Sequence, residues 1–191
     1  MSSTEYMNID TLRALVERAK SGDSGAFSTI YSTYYTPLYR YIYFRVKSRE
    51  EAEDLTQNVF MKIFSTLPNF KTEDSSPTSY FFTAARNAVI DHYRKRDHTP
   101  IASDEMVMSK ADDTEDESQS FEREEMNTLV RDSLTILSPD QYEIMTLKFI
   151  NELSNSEIAD LTGKSEVAIR QIQSRSLKIL RDHFEKNELL S

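Results

Sequence analysis

The chain has 191 residues, with 3 glycines, 5 prolines, 3 histidines and no cysteine. The few glycines and the lack of alternating β-branched runs predict an all-α fold, in one large or two small domains. The absence of cysteine excludes a disulfide framework and Cys-based metal chemistry, and three histidines leave few groups for a catalytic or metal site. Because no apolar run approaches about 20 residues, we expect a cytoplasmic protein with no membrane contact of its own. We also expect no cofactor.

The net charge of −9 is concentrated in one segment. Residues 103–125 hold 2 basic and 10 acidic residues, whereas residues 1–102 hold 13 and 12, and residues 126–191 hold 8 and 10. The acidic segment has few large apolar residues, so burial cannot offset the entropy lost on ordering it. We therefore predict a flexible acidic linker between two small helical domains.

Three helices are predicted in the first part of the chain, up to about Thr66. Apolar residues at helical spacing mark residues 10–20, and an aromatic-rich run follows at 24–46, where Pro37 is expected to break or kink the helix. Ser48-Arg-Glu-Glu51 is a capping box that starts the next helix, which runs to about Thr66.

The helix after Ser48 has two opposite faces. Ala52, Leu55, Val59, Ile63 and Leu67 form one apolar stripe. The opposite stripe contains Asp54, Gln57, Asn58 and Met61. A solvated face is the usual interpretation of such a stripe, but an exposed methionine among mostly uncharged polar groups favours a docking surface.

A further helix is predicted from Ser76-Pro77 to about Arg96. Phe81, Phe82, Ala85, Ala88 and Val89 are expected to face inward, and Tyr80, Ala84, Asn87, Asp91 and Arg94 to line the other side. An aromatic ring, an amide and cations on one face suit unstacked nucleic-acid bases. The same pattern is also typical of a capped amphipathic helix with a basic C-terminus.

The C-terminal part predicts a helix-turn-helix over 155–174. The capping boxes Ser138-Pro-Asp-Gln141 and Ser154-Asn-Ser-Glu157 start the first two helices of this part of the chain. Ser165 caps the third helix, at about 166–184. The small Ala159 and the turn residue Gly163 allow two helices to cross closely. The third helix is expected to expose Arg170, Gln171, Ser174, Arg175, Lys178 and Arg181. From Val167 to Arg181 it holds four cations and no acid, which is typical of a helix that enters the major groove.

Together these motifs resemble the extracytoplasmic-function (ECF) group of the sigma-70 family of bacterial RNA polymerase sigma factors. The stretch 50–60 (EEAEDLTQNVF) is similar to region 2.2, and 80–87 (YFFTAARN) with 90–96 (IDHYRKR) is similar to regions 2.3 and 2.4. The stretch from Leu137 to Arg181 is similar to region 4. The resemblance implies region 2 at 10–97, the acidic linker at 98–120 and region 4 at 121–188.

The resemblance also implies partners and site residues. Core RNA polymerase would bind the chain through its β′ clamp helices and its β subunit. Promoter DNA would be bound as a single strand at the −10 element and as a duplex at the −35 element. An anti-sigma factor would be a further partner. The residues implied for core binding are Asp54, Gln57, Asn58 and Met61. Those implied for the −10 element are Tyr80, Arg86, Asn87, Asp91, Arg94 and Arg96. Those implied for the −35 element are Ser165, Arg170, Gln171, Ser174, Arg175 and Lys178.

Three residues depart from the family's usual pattern. Tyr80 stands where a tryptophan is frequent, Ile172 where an arginine is frequent, and Ser174 where an aromatic residue or histidine is frequent. The last two leave the −35 sequence undefined.

Other functions fit parts of the sequence. A conventional repressor or activator with a C-terminal helix-turn-helix is the alternative function, and an enzyme is disfavoured because phosphate-loop and nucleophile motifs are absent. The acidic linker is interpreted as a polyanion mimic within a cationic polymerase channel, as a simple tether, or as a screen for the cations of the last helix.

Overall fold

The computed structural model describes residues 7–46, 48–72, 76–97 and 117–188, and within these ranges it contains helices and no strand. The helices are α1 (Ile9–Lys20), α2 (Ser24–Val46), α3 (Arg49–Thr66), α4 (Pro77–Asp97), α5 (Glu117–Leu134), α6 (Pro139–Met145), α7 (Asn155–Thr162) and α8 (Glu166–Glu188). A short 3₁₀ turn, Leu67–Asn69, follows α3, and a π-helical turn, Thr146–Ile150, extends α6. The predicted all-α fold is confirmed. The predicted linker lies, up to residue 116, outside the described residues.

Side-chain caps fix where several of these helices begin. The Ser48 hydroxyl accepts a hydrogen bond from the Glu51 N–H at 3.3 Å, which starts α3. Ser138 and Ser154 each form a complete capping box, with Gln141 and Glu157 as the reciprocal partners. Each box satisfies backbone donors that a helix N-terminus leaves unpaired, so the predicted starts of α3, α6 and α7 are confirmed.

Of the break or kink expected at Pro37, a break is wrong, because α2 is one helix of 23 residues that continues through this proline. Proline removes one backbone donor from a helix interior and crowds the preceding turn. Here Pro37 is buried beside Tyr34, Leu38 and Tyr41, which are fully buried on the same helix. Tertiary packing around α2 therefore holds the helix together despite the proline.

The core of the first half, which we define as α1–α4, is built largely from aromatic rings. Tyr34 meets Phe81 edge to face with ring centroids 4.9 Å apart, and Tyr41 meets Phe82 at 5.6 Å. Such edge-to-face pairs add stabilisation beyond the area that they bury. Because one ring of each pair comes from α2 and the other from α4, these contacts fix the position of α4.

The core of the second half, α5–α8, is mainly aliphatic. Ile144, Leu147, Leu153, Ile158 and Ile169 are buried there and belong to the same continuous cluster as the aromatic core. Asn151, which follows the π-helical turn, donates through Nδ2 to the carbonyl oxygen of Pro37 at 2.8 Å. The two halves therefore pack against each other through both apolar and polar contacts.

Among the helices of the described ranges, none combines the length and the apolar character that a membrane crossing requires.

Candidate docking and nucleic-acid interfaces

The polar stripe of α3 lies on the protein surface as predicted. Asp54, Gln57, Asn58 and Met61 are all exposed, and Met61 is 71% exposed. The opposite stripe packs into the core, where Ala52, Val59, Ile63 and Leu67 are buried and Leu55 is half-buried. Packing of one stripe fixes the helix rotation, so the other stripe is held outward as a ready surface.

Phe64 extends this surface and was not predicted from the sequence. It is 63% exposed, and its ring meets Phe27 of α2 edge to face at 4.9 Å. Phe64 lies three residues after Met61 and seven after Gln57, a spacing that places it on the same side of α3. This spacing is the sequence signal from which the exposure of Phe64 could have been predicted. With Phe64 included, the otherwise polar stripe ends in an apolar side chain.

Tyr80, at the start of the α4 face, is held by an aromatic neighbour from outside the helix. Its half-buried ring stacks on Phe70, with centroids 4.3 Å apart and planes inclined by 26°. Its hydroxyl forms a hydrogen bond with the hydroxyl of Thr66, at the end of α3. Phe70 lies in the segment after the 3₁₀ turn, so no helical periodicity could place it beside Tyr80.

The remainder of the predicted α4 face is only partly open. Asn87 is exposed, Asp91 is half-buried, and Arg94 Nη2 lies 3.1 Å from Asp91 Oδ1. Ala84 was expected on the outer side, but it is buried, because α4 is packed against α2, α3 and α7 and leaves only part of its surface open. The side chain of Arg96 lies outside the described residues.

Arg86 makes an ion pair with the second half of the chain. Its Nε lies 2.8 Å from Oε1 of Glu143 in α6. Tyr41 donates its hydroxyl hydrogen to the same oxygen at 3.3 Å. Burial raises the pKa of the Tyr41 hydroxyl, and the Glu143 carboxylate adds to that increase. The residue expected to contact DNA is thus bound to a carboxylate in this arrangement.

The helix-turn-helix has the geometry predicted for it. Gly163 ends α7 in the left-handed region, with φ of +69°, and its N–H donates to Ala159 at 2.8 Å. Glycine adopts this conformation without the steric cost that other residues incur. Ser165 then caps α8, because its hydroxyl accepts from the Ala168 N–H at 3.2 Å. The turn and both flanking helices are therefore fixed by local contacts.

The outer face of α8 is basic and open. All the residues predicted to be exposed on it are exposed, namely Arg170, Gln171, Ser174, Arg175, Lys178 and Arg181. Arg170 Nη1 lies 3.2 Å from Glu166 Oε2 one turn earlier, so part of its charge is already neutralised. Ile169 and Ser176 are buried and Ile172 is half-buried, which anchors the opposite side of the helix.

Gln173 has a structural role in the same motif. Its Nε2 donates to Oδ1 of Asn155 at 2.9 Å, which ties the middle of α8 to the first residue of α7. This hydrogen bond fixes the crossing of the two helices, a role that the position of Gln173 on the helical wheel did not indicate.

A metal centre is not indicated in the part of the chain that the structure describes, where no three His, Asp or Glu side chains are grouped to hold an ion. The fold and these surfaces define a helical protein with a helix-turn-helix, whose last helix has a basic exposed face, and a separate exposed stripe on α3.

Comparison with known proteins identifies the family. Residues 30–99 match the model of sigma-70 region 2, and residues 134–182 match that of sigma-70 region 4. The ECF RNA polymerase sigma factor BldN of Streptomyces coelicolor is 34% identical over 167 residues, which cover 87% of this chain and 63% of BldN. The ECF RNA polymerase sigma factor SigX of Bacillus subtilis is 29% identical over 147 residues, or 73% of each chain.

A solved structure shows the same fold. CnrH, determined in complex with the cytosolic domain of CnrY, superposes with a TM-score of 0.69 at 20% identity, covering 91% of this chain and 97% of that chain.

The chain belongs to the ECF group of the sigma-70 family of RNA polymerase sigma factors. A conventional repressor or activator is not favoured, because region 2 and region 4 both match sigma factors.

Proposed function

We propose that this chain is a dissociable initiation subunit that directs core RNA polymerase to promoters and helps to open the DNA. The observation that carries the proposal is the presence of both sigma regions in one chain, each with an open surface of the appropriate chemistry. Docking is assigned to α3, single-strand binding to α4 and duplex binding to α8. The chain is proposed to be regulatory rather than catalytic, as its relatives are.

The stripe of α3 is proposed to bind the β′ clamp helices of core polymerase. Asp54, Gln57 and Asn58 offer hydrogen-bonding groups, and Met61 with Phe64 offers apolar surface, all on one exposed side. Exposed apolar side chains next to hydrogen-bonding ones are a combination that protein interfaces use. A contact of the β subunit and an anti-sigma factor are further proposed partners, as the family resemblance implies, and the cytoplasm is the proposed location.

The α4 face is proposed to bind the unpaired strand of the −10 element. One face of the Tyr80 ring is already stacked on Phe70, so a base would stack on an oriented ring rather than on a mobile one. Asn87 is exposed two helical turns further along the same face and offers an amide for a base edge. The cations of α8 are proposed to bind the duplex at the −35 element.

Core binding tests the docking assignment. We expect the double variant Asp54→Ala, Gln57→Ala to weaken binding to core polymerase while its circular dichroism stays helical, because both side chains are exposed. The matched control is Asn127→Ala, Asp132→Ala, which removes the same two kinds of group from exposed positions of α5. Equal core affinity for the two double variants, measured by fluorescence titration, would exclude the α3 stripe as the docking surface.

Strand opening tests the α4 assignment. We expect Tyr80→Ala, Asn87→Ala to reduce permanganate reactivity of unpaired thymines in a promoter complex, while binding to the closed duplex is retained. Asn127→Ala, which removes an exposed amide from α5, is the control and should behave like the unmodified chain. Normal thymine reactivity in the double variant would show that this face has no single-strand role.

A further inference from the structure

An exposed valine lies at the start of the basic face of α8. Val167 is the second residue of this helix and is 58% exposed. Gln171, Ser174 and Lys178 follow it after four, seven and eleven residues, which is the spacing of one helical face, and all three are exposed. The face proposed to bind duplex DNA therefore begins with an apolar side chain, which was not among the predicted site residues.

Core packing does not account for this valine. The buried side of α8 contains Ile169 and Ser176, and the helix packs against α6 and α7. Each residue of an α-helix is rotated by about 100° from the one before it, so Val167 lies about 200° around the helix axis from Ile169. Val167 is thus on the opposite side of α8 from the residues that anchor the helix.

Helix stability does not account for it either. Valine stabilises an exposed helical position less than alanine, lysine or glutamate, because its branched side chain loses rotamer freedom against the preceding turn. The start of α8 is fixed instead by Ser165, whose hydroxyl accepts from the Ala168 N–H at 3.2 Å. The stiffness of valine favours binding, because its two methyl groups are held in one orientation and lose little entropy when they make a contact.

The major groove of DNA offers one apolar group to such a side chain. The edges of guanine, cytosine and adenine present hydrogen-bond donors and acceptors, whereas thymine also carries a 5-methyl group. In a helix-turn-helix, the N-terminal residues of the second helix are the ones that reach base edges. An apolar contact with the methyl group of thymine is therefore the interaction that fits both the chemistry and the position of Val167.

We propose that Val167 is a specificity-determining residue of the duplex-binding face, and that its methyl groups contact the 5-methyl group of a thymine in the −35 element. The inference rests on the proposed binding of α8 to duplex DNA. Gln171 and Arg175 offer hydrogen bonds to the duplex, and Val167 adds a contact that selects one base without a hydrogen bond. Removal of one methyl group from an apolar contact should weaken binding about fourfold.

Replacement of thymine by uracil tests this contact at the level of one methyl group. A duplex that the full chain prefers is first selected from a library of random sequence. Each thymine is then replaced in turn by deoxyuridine, which lacks only the 5-methyl group. Fluorescence anisotropy at one salt concentration measures the affinity of each duplex for the free chain and for the chain bound to core polymerase.

Three variants accompany the unmodified chain. Val167→Ala removes both methyl groups of the valine, and Val167→Thr keeps one of them. The matched control is Ile179→Ala, which truncates another exposed β-branched side chain of α8, about 120° around the helix from Val167.

We expect one thymine at which the deoxyuridine duplex binds the unmodified chain about fourfold more weakly. In Val167→Ala this difference should disappear, because the shortened side chain no longer reaches the methyl group. Val167→Thr should retain part of the difference, and Ile179→Ala should retain all of it. Circular dichroism should show that Val167→Ala keeps its helices, since alanine is a better helix former than valine.

Two results would overturn the role of Val167. One is the absence of a methyl effect at every thymine in the unmodified chain, and the other is an undiminished methyl effect in Val167→Ala. The second result together with weaker binding to core polymerase would assign the valine to a protein contact instead. Failure of the sigma-factor proposal looks different, because the chain would then not bind core polymerase. The methyl effect measured on the free chain would still decide the role of Val167.

Discussion

The cores of the two halves of the molecule differ in composition, and so do the surfaces that we propose to bind DNA. In the first half, tyrosine and phenylalanine rings of α2 and α4 fill the core, and the outer face of α4 is partly covered, with Arg86 bound to Glu143. In the second half, aliphatic side chains fill the core and the basic face of α8 is open. One proposed surface is thus partly engaged by a contact between the halves, whereas the other is exposed.

This difference has a physical origin in how each surface is positioned. The helix-turn-helix is fixed by hydrogen bonds within a few residues, such as Ala168 to Ser165 and Gly163 to Ala159. The α4 face depends on Phe70 and on Glu143, and the latter is 57 residues away from Arg86. A surface built from distant residues can be altered by moving those residues, so the first half is the one suited to regulation.

Core truncation is expected to have the largest effect on this comparison. Phe82 is fully buried against Tyr41, and Phe82→Ala should lower the free energy of unfolding by about 3–5 kcal/mol. Ile158→Ala in the aliphatic core should cost about 2–5 kcal/mol. Because the two cores form one cluster, both variants should shift a single urea transition monitored by circular dichroism.

Met61→Ala is the control for both truncations, because this exposed side chain should change stability by less than about 0.5 kcal/mol. Two separate urea transitions in either core variant would contradict a shared core. The halves would then have to be regarded as independently folding bodies.

Duplex binding should distinguish two arginines on the open face. Arg175→Ala should weaken duplex binding by about 1–3 kcal/mol if this side chain makes a bidentate base contact. Arg170→Ala should cost less, because Arg170 must first leave Glu166, and its charge is partly neutralised by that partner. Fluorescence anisotropy with a promoter duplex measures both, with Lys186→Ala in the last turn of α8 as control. Equal losses for the two arginines would show that the Glu166 pair has no effect.

High pH should produce a gradual effect, and it should act mainly through the first half. Burial raises the pKa of Tyr34 to about 12, and that of Tyr39 likewise to about 12. Since the folded chain holds these protons more tightly than an unfolded tyrosine with a pKa of about 10, stability is retained below about pH 10 and lost as pH rises towards 12.

Urea unfolding at about pH 9 and about pH 11 measures this loss, taking the ordinary tyrosine pKa as reference. Tyr34→Phe removes one of the titrating groups, so its stability should fall less between the two pH values than that of the unmodified chain. An identical decline in the variant would mean that Tyr34 does not contribute to the alkaline effect.

Local signals explain how much of this molecule could be predicted from its sequence. Capping serines at 48, 138 and 154, the glycine at 163 and the charge pattern of α8 all act within one or two helical turns, and each predicted feature is present. The exposed stripe of α3 was predictable for the same reason, since helical periodicity alone separates its two faces.

Features that depend on tertiary packing were not predictable. Pro37 satisfies the local rule for a helix break, but buried neighbours override that rule. Ala84 was assigned to the outer face by periodicity, and it is buried because several helices pack around α4. The partners of Arg86 and Tyr80 come from other elements, and no spacing along α4 carries information about them. The site residues themselves stay predictions until the experiments above are done.

The π-helical turn after α6 has a consequence for how the family has evolved. The Asn151 N–H donates to the Thr146 carbonyl five residues earlier, at 3.1 Å, so this turn holds one residue more than an α-helical turn would. Deleting one residue here would rotate the following chain by about 100° and carry Asn151 away from Pro37. In an alignment of relatives, a one-residue gap at 146–150 should therefore coincide with the loss of the asparagine, and chains with that gap should have lost this tether between their two halves.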